Sequence, residues 1–139
     1  MSYLVDTNVL SELRKGRRCD PNVFRWFSAV SDEDVFLSVL VIGEIRRGIE
    51  RIRRRDARSA RSLDAWLRRL LAGHRDRILS VDEVIAEEWG RLNVPNPIPV
   101  VDGLMAATAR VHGLTLATRN LRDVARTGVP CVNPFETVG

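Results

Sequence analysis

The sequence predicts an α/β domain in which a central, mainly parallel sheet of about four to five strands is covered by helices on both faces, giving three layers. Two observations lead to this prediction. Short apolar runs alternate with longer segments of helical periodicity along the chain. The 139 residues, 45% of them hydrophobic and 29% charged, suffice for one domain with a real core and are too few for two. We therefore expect residues 1–139 to form a single domain.

Along the chain, each predicted strand is separated from the next by one or two predicted helices. Strands are predicted at residues 3–5, 35–37, 77–79, 114–117 and 130–132. Helices are predicted at residues 7–13, 22–29, 39–55, 59–71, 80–92, 102–112 and 120–126. The third and fourth helices should form a hairpin, and residues 80–83 fit a capping box that starts the fifth. We further expect Asp102 and Asn120 to cap their helices, and Gly113 to end the sixth.

The composition excludes several kinds of protein and site. The longest apolar stretch, residues 35–42, is too short to span a membrane, and the N-terminus lacks the pattern of a signal peptide, which favours a cytoplasmic location. Cys19 and Cys131 have no CxxC neighbour, so neither a disulfide framework nor a thiolate zinc site is expected. Any metal site should use oxygen ligands, which favours magnesium or manganese.

Four acidic residues stand next to apolar segments at widely separated positions: Asp6, Glu44, Asp102 and Asp123. Asp6 ends the first predicted strand, and the other three follow later strands or begin helices. In open parallel sheets, ligands bind beyond the carboxyl ends of the strands. We therefore expect the four carboxylates to converge at that edge and to hold a hard divalent cation, which would offset their mutual repulsion.

Each acid also has a purely structural interpretation. Asp6 and Asp102 could serve only as helix N-caps. Glu44 could pair with a neighbouring arginine on an exposed helix face, although Gly43 and Gly48 favour a close approach and hence a functional site. Asp123 could form a surface ion pair, and taken alone that interpretation is the better one. The four acids together favour a single site.

The motifs around these acids resemble those of PIN-domain ribonucleases, and most of all the VapC-type toxins of bacterial toxin–antitoxin modules. The resemblance covers nearly the whole chain, in order. Its segments are Val-Asp6-Thr-Asn-Val-Leu-Ser-Glu, Ser38…Gly43-Glu44-Ile…Gly48, Val-Asp102…Ala106-Ala-Thr-Ala and Ala-Thr118-Arg-Asn…Asp123. One departure is Val124, where an aromatic residue often follows the last aspartate.

The resemblance implies a magnesium- or manganese-dependent endoribonuclease with a PIN-like fold. Asp6, Glu44, Asp102 and Asp123 fall at the family's acidic positions, as catalytic residues and metal ligands. Asn8 and Thr118 match polar positions that line the site. The resemblance also implies an RNA substrate, a cognate antitoxin as partner and a homodimer.

An arginine-rich segment extends from residue 46 to residue 77. It holds twelve arginines against four acids, whereas the net charge of the whole chain is +4. Such a surface could draw in RNA or dock an acidic segment of an antitoxin. It could equally be a solvated helix face whose arginine stems cover apolar surface.

Two other functions compete with RNA cleavage. A phosphatase of the haloacid-dehalogenase type also places an aspartate after its first strand, but it needs a second aspartate where this chain has Asn8, and a lysine for which Lys15 is the only candidate. A non-catalytic module that binds RNA or an antitoxin would use the four acids only structurally. A measurement of divalent-metal binding would distinguish such a module from a nuclease.

Overall fold

The computed structural model describes residues 1–136 and contains a sheet of five parallel strands flanked by helices. The last three residues of the predicted domain, 137–139, lie outside the described residues. The strands are β1 Tyr3–Val5, β2 Val35–Ser38, β3 Ile78–Leu79, β4 Thr115–Ala117 and β5 Cys131–Val132. The helices are α1 Thr7–Leu13, α2 Pro21–Ser28, α3 Val39–Arg53, α4 Ala57–Gly73, α5 Glu83–Leu92, α6 Val100–His112 and α7 Leu121–Ala125.

The strand order is β3-β2-β1-β4-β5, so the first strand in the chain lies at the centre of the sheet. Its register pairs Leu4 with Phe36 on one side and with Leu116 on the other, both in parallel. Because all five strands run the same way, their carboxyl ends meet at one edge. The predicted α/β/α architecture with a parallel sheet is confirmed.

The helices pack in two groups around the sheet. Helix α1 contacts α2 and α3, and α3 packs along α4 as the predicted hairpin. Helices α5 and α6 pack against each other, and α6 also contacts α7, β1 and β4. Among the described residues, no helix is both long enough and apolar enough to cross a membrane.

The core fills the spaces between the sheet and these helices. Leu4, Val5, Leu37 and Ala117 are fully buried on the strands. On α6, Ala106 and Ala109 are likewise buried, so the alanine-rich run packs as tightly as its small residues predict. The apolar face of α3 is buried through Val41, Ile45 and Ile49.

Helix ends account for the differences from the predicted elements. Helix α6 begins at Val100, so Asp102 lies in its first turn and does not cap it, contrary to prediction. The capping box at residues 80–83 is also wrong, because Asp82 caps α5 by accepting a hydrogen bond from the Ile85 amide. Gly113 ends α6 with a φ of 65°, a left-handed conformation that favours glycine, as predicted.

Candidate metal centre

Asp6 stands at the carboxyl end of the central strand and is almost completely buried, with 8% of its surface exposed. Its Oδ1 accepts a hydrogen bond of 2.8 Å from the Thr7 amide, which caps α1. Its Oδ2 accepts one of 2.7 Å from the Thr118 hydroxyl, just beyond β4. The carboxylate therefore caps a helix and is also held by the neighbouring strand.

Thr118 is a junction of hydrogen bonds next to this carboxylate. Its Oγ1 accepts from the Asn120 amide at 3.1 Å and from the Asn8 side-chain amide at 3.4 Å. Because two donors point at this oxygen, its own hydrogen is directed to Asp6. Asn8 is fixed in turn by the Arg119 amide, which donates to its Oδ1. Both predicted supporting residues, Asn8 and Thr118, thus lie beside Asp6.

Glu44 reaches the same edge from the second turn of α3. Its Oε1 accepts a hydrogen bond of 2.6 Å from the Thr7 hydroxyl. The side chain is half-buried and joins no ion pair within residues 1–136, so Glu44 is not merely an exposed partner of the arginine face. Since the Thr7 amide binds Asp6 and its hydroxyl binds Glu44, one threonine positions both carboxylates.

Asp102 and Asp123 are joined by one asparagine. The Asn120 side-chain amide donates to Asp102 Oδ2 at 3.1 Å and to Asp123 Oδ2 at 3.0 Å. Asn120 precedes α7 without capping it through its side chain, contrary to prediction. No ion pair ties Asp123 to Arg119 or any other arginine within residues 1–136.

The electrostatics show that the four acids influence one another. Burial raises the pKa of Asp102 above its usual value, and repulsion from Asp6, Asp123 and Glu44 raises it further. Burial also raises the pKa of Asp6, helped by Glu44 and opposed by the hydrogen bonds from Thr118 and Thr7. Negative charge is therefore costly at Asp6 and at Asp102.

The sequence matches the model of the family described as "PIN domain" over residues 3–129. The chain belongs to the PIN-domain family. A curated relative, Toxin FitB of Neisseria gonorrhoeae, is 33% identical over 95% of this chain and 97% of its own length. VapC ribonuclease Y4jK of Sinorhizobium fredii is 32% identical over 96% of this chain and 97% of its own.

Solved structures place this PIN domain among the same proteins. The crystal structure of FitAcB from Neisseria gonorrhoeae has a TM-score of 0.89 and 30% sequence identity, covering 97% of this chain and 99% of that one. The predicted PIN-like fold is thereby confirmed.

The donor set of this PIN domain fits a hard divalent cation in its chemistry. Its acids offer only oxygen ligands, and their mutual repulsion is what a bound cation relieves. As they stand, however, no three histidine, cysteine or acidic side chains within residues 1–136 are grouped so that they could hold a metal ion. Hydrogen bonds divide the acids into two pairs, Asp6 with Glu44 and Asp102 with Asp123. Their roles as ligands stay a prediction.

Two residues of the site, Thr7 and Asn120, were not predicted to contact the acids. Asn120 precedes Asp123 by three residues, a spacing that places both on one side of a helical turn, and that spacing could have revealed the contact. Thr7 carries no comparable signal, because its hydroxyl meets Glu44 only through the packing of α1 on α3. The expected close approach at Gly43 and Gly48 is wrong, since a Cβ at either position would meet nothing within 4 Å.

Part of the arginine-rich segment has a structural role. Arg46 and Arg53 on α3 both bind Asp64 on α4, at 2.7 and 2.8 Å, and both also bind Glu50. Their guanidinium groups lower the pKa of Asp64 to about 2. These ion pairs tie the two helices of the hairpin together.

The requirements of a haloacid-dehalogenase phosphatase are not met. Lys15 lies beyond the end of α1 and forms an exposed ion pair of 3.0 Å with Glu12. Asn8, at the position where a second aspartate is required, holds Thr118 instead. Asn8 and Lys15 therefore do not supply the second aspartate and the lysine that such a phosphatase requires.

Proposed function

We propose that this PIN domain, residues 1–139, is a divalent-metal-dependent endoribonuclease and the toxin component of a toxin–antitoxin module. One observation carries the proposal. Hydrogen bonds hold two pairs of carboxylates from distant parts of the chain at the carboxyl edge of the sheet, Asp6 with Glu44 and Asp102 with Asp123. Burial raises the pKa of Asp102, and repulsion from the other three acids raises it further. The names of the relatives, a toxin and a ribonuclease, support it.

Magnesium or manganese is the proposed cofactor, with Asp6 and Asp102 as its principal ligands and Glu44 and Asp123 as further ones. When bound, such an ion supplies an activated water and stabilises the leaving oxygen of a phosphodiester. The remaining residues hold these carboxylates in place. Thr118 fixes Asp6, and Asn120 keeps Asp102 and Asp123 facing each other.

The carboxylates of the candidate site are held by neutral donors. A hydroxyl or amide stabilises a carboxylate without neutralising it, so the negative charge remains available to a cation. An arginine in the same place would cancel that charge. Thr7, Thr118 and Asn120 therefore suit a cation site better than ion pairs would.

The proposed partners follow from the same assignment. The substrate is RNA, the protein acts in the cytoplasm where that RNA is found, and a cognate antitoxin holds it inactive. We expect a homodimer, which light scattering of the purified protein will measure. The competing function, a non-catalytic module that binds RNA or an antitoxin, would leave the four acids without a cation.

The test is cleavage of RNA by the purified protein in magnesium or manganese, followed by sequencing of the RNA ends. We expect discrete new ends with the wild type and none with Asp102→Asn or in EDTA. Isothermal titration with Mn²⁺ provides a second readout, in which Asp6→Asn should weaken binding at least tenfold. Unchanged Mn²⁺ affinity and unchanged cleavage in both variants would contradict the proposal and leave the non-catalytic module.

A further inference from the structure

A groove bounded by arginines adjoins the four acids. Its larger cavity, about 690 Å³, lies between α1 and the hairpin of α3 and α4, and four arginines line it: Arg14, Arg55, Arg58 and Arg69. We call these four the groove arginines. A smaller cavity of about 160 Å³ includes Thr7 and Glu44 at the acidic site. The two cavities share Arg14, Ile52, Leu63 and Trp66, so they form one continuous path.

The groove arginines differ from the structural arginines of the same hairpin. Arg46 and Arg53 use their guanidinium groups on Asp64 and Glu50. Within the part of the chain that the structure describes, no side chain of the four groove arginines donates a hydrogen bond or joins an ion pair. An unpaired guanidinium keeps its planar set of donors available for an anion, and phosphate is the anion whose geometry it matches best.

The charge of the groove is strongly positive. Asp56 is the one acid that lines the larger cavity, against four arginines. Its two carboxylate oxygens accept from the Ser59 amide at 3.1 Å and from the Ser59 hydroxyl at 2.6 Å, so it is occupied in capping α4. The groove therefore offers a net charge of about +3 to a polyanion, next to apolar surface from Ile52, Leu63 and Trp66.

The length of the path suits a nucleic acid strand that passes the acids. Glu44 and Ile52 are eight residues apart on α3, about 12 Å along the helix axis at 1.5 Å per residue. That distance spans only a few nucleotides of a single strand. A single strand with one phosphodiester at the acids therefore brings a later phosphate to the groove arginines.

We propose that the groove arginines bind the backbone phosphates of single-stranded RNA within a few nucleotides of the bond that is cut. The proposal rests on the proposed function, because the acids define where the cut falls. An acidic peptide would also match the charge of the groove. RNA is favoured because the path leads from the groove arginines to the acids that the proposed function assigns to RNA cleavage.

The test compares the contribution of the groove arginines to RNA affinity with that of other exposed arginines on the same hairpin. The background is Asp102→Asn in EDTA, and the probe is a fluorescein-labelled single-stranded RNA of twelve nucleotides, followed by anisotropy at increasing NaCl concentration. The variant is Arg58→Ala/Arg69→Ala. The matched control is Arg54→Ala/Arg61→Ala, which removes the same charge from exposed positions of the same hairpin outside the groove. Thermal melts confirm that both variants fold.

We expect the groove variant to bind the RNA at least tenfold more weakly than its background, and the control to stay within twofold. The dependence of log affinity on log salt should fall by about 1.4 in slope, the value for two phosphate contacts on a single strand. Equal weakening in both variants would overturn the proposal, since general surface charge would then explain it. Weaker binding of a labelled polyglutamate peptide, with RNA binding unchanged, would also overturn it and assign the groove to an acidic protein segment.

The experiments distinguish a failure of the groove proposal from a failure of the proposed nuclease function. The binding test needs neither metal nor cleavage. If the wild type cuts RNA while the groove variant binds RNA normally, only the groove proposal fails. If no metal supports cutting but the groove variant loses RNA affinity, the nuclease proposal fails and the groove stands.

Discussion

Thr118 donates its hydroxyl hydrogen to the buried carboxylate of Asp6 across 2.7 Å, although the two residues are 112 positions apart in the chain. They meet because β1 and β4 are parallel neighbours, with Val5 opposite Ala117. Each of the two residues directly follows its strand. The hydrogen bond thus ties the candidate site to the centre of the sheet.

Removing this hydroxyl should weaken the site more than the fold. In Thr118→Val, Asp6 loses a hydrogen bond that lowers its pKa, while the volume of the side chain is nearly kept. Loss of a group that orients a metal ligand typically costs about 10- to 100-fold in metal affinity or activity. We expect a loss in that range for Mn²⁺ affinity, measured calorimetrically, with Thr118→Ser close to the wild type. Wild-type affinity in Thr118→Val would contradict the role.

Asn120 should set the acidic limit of activity. Its hydrogen bond lowers the pKa of Asp102, so Asn120→Ala should raise that pKa further. A higher pKa means that less of the carboxylate is ionised at a given acidic pH. We therefore expect the acidic limb of kcat/KM to move to higher pH in the variant. Asn96→Ala, in the exposed loop before α6, serves as the control, and an unmoved limb in Asn120→Ala would contradict the prediction.

Neutralising Asp102 should stabilise the metal-free protein. The pKa of Asp102 is raised by folding, so its contribution favours folding when protonated and is lost as pH rises through the folded pKa. At pH 7 in EDTA the charged group is therefore unfavourable. We expect Asp102→Asn to melt about 2–4 °C higher than the wild type there. With excess Mn²⁺ the order should reverse, because only the wild type gains a ligand. A lower melting temperature in EDTA would argue against repulsion among the acids.

Asp64 should stabilise the hairpin only while it is ionised. Its pKa is lowered to about 2 by Arg46 and Arg53, so its contribution is present above the unfolded value of 3.8 and is lost as pH falls through about 2. We expect Asp64→Asn to melt below the wild type at pH 7, and the difference to shrink between pH 4 and pH 2. A difference that is independent of pH would mean that the ion pairs contribute nothing.

A methyl group at Gly103 should disturb the packing of α5 on α6. Its Cβ would lie 3.1 Å from Cδ1 and Nε1 of Trp89, closer than ordinary contact. We expect Gly103→Ala to lower the free energy of unfolding by about 1–3 kcal/mol. Gly90→Ala, where a Cβ meets nothing within 4 Å, should instead raise it by about 0.5–1 kcal/mol. Urea unfolding measures both, and equal effects would contradict the packing explanation.

The sequence predicts the fold well because alternating apolar runs and helical periodicity are local signals. All five strands and all seven helices fall within a few residues of their predicted positions. The ends of α5 and α6 differ because several residues can cap a helix, and tertiary packing selects among them. Asp82 caps α5 instead of Ser80, and α6 starts at Val100, which places Asp102 in its first turn.

The sequence predicts which acids lie near the carboxyl edge of the sheet but not the hydrogen bonds that hold them, and the roles of the acids as metal ligands stay a prediction. Asp6 and Asp102 adjoin strand ends or helix starts, so topology alone brings them to one edge. Thr7 and Asn120 depend on side-chain directions that no periodicity encodes. The arginine-rich segment divides into paired and unpaired residues only once α3 is placed against α4, since Asp64 meets Arg46 and Arg53 across that contact.

The central position of β1 has a consequence for biosynthesis. The strand emerges first from the ribosome, yet its neighbour β4 and the acid at position 123 emerge more than a hundred residues later. A nascent chain that ends before residue 118 holds neither the partner of Asp6 nor the last carboxylate. The four acids of the candidate site therefore cannot come together before residue 123 has been synthesised, so the activity proposed above would arise only after that point of translation.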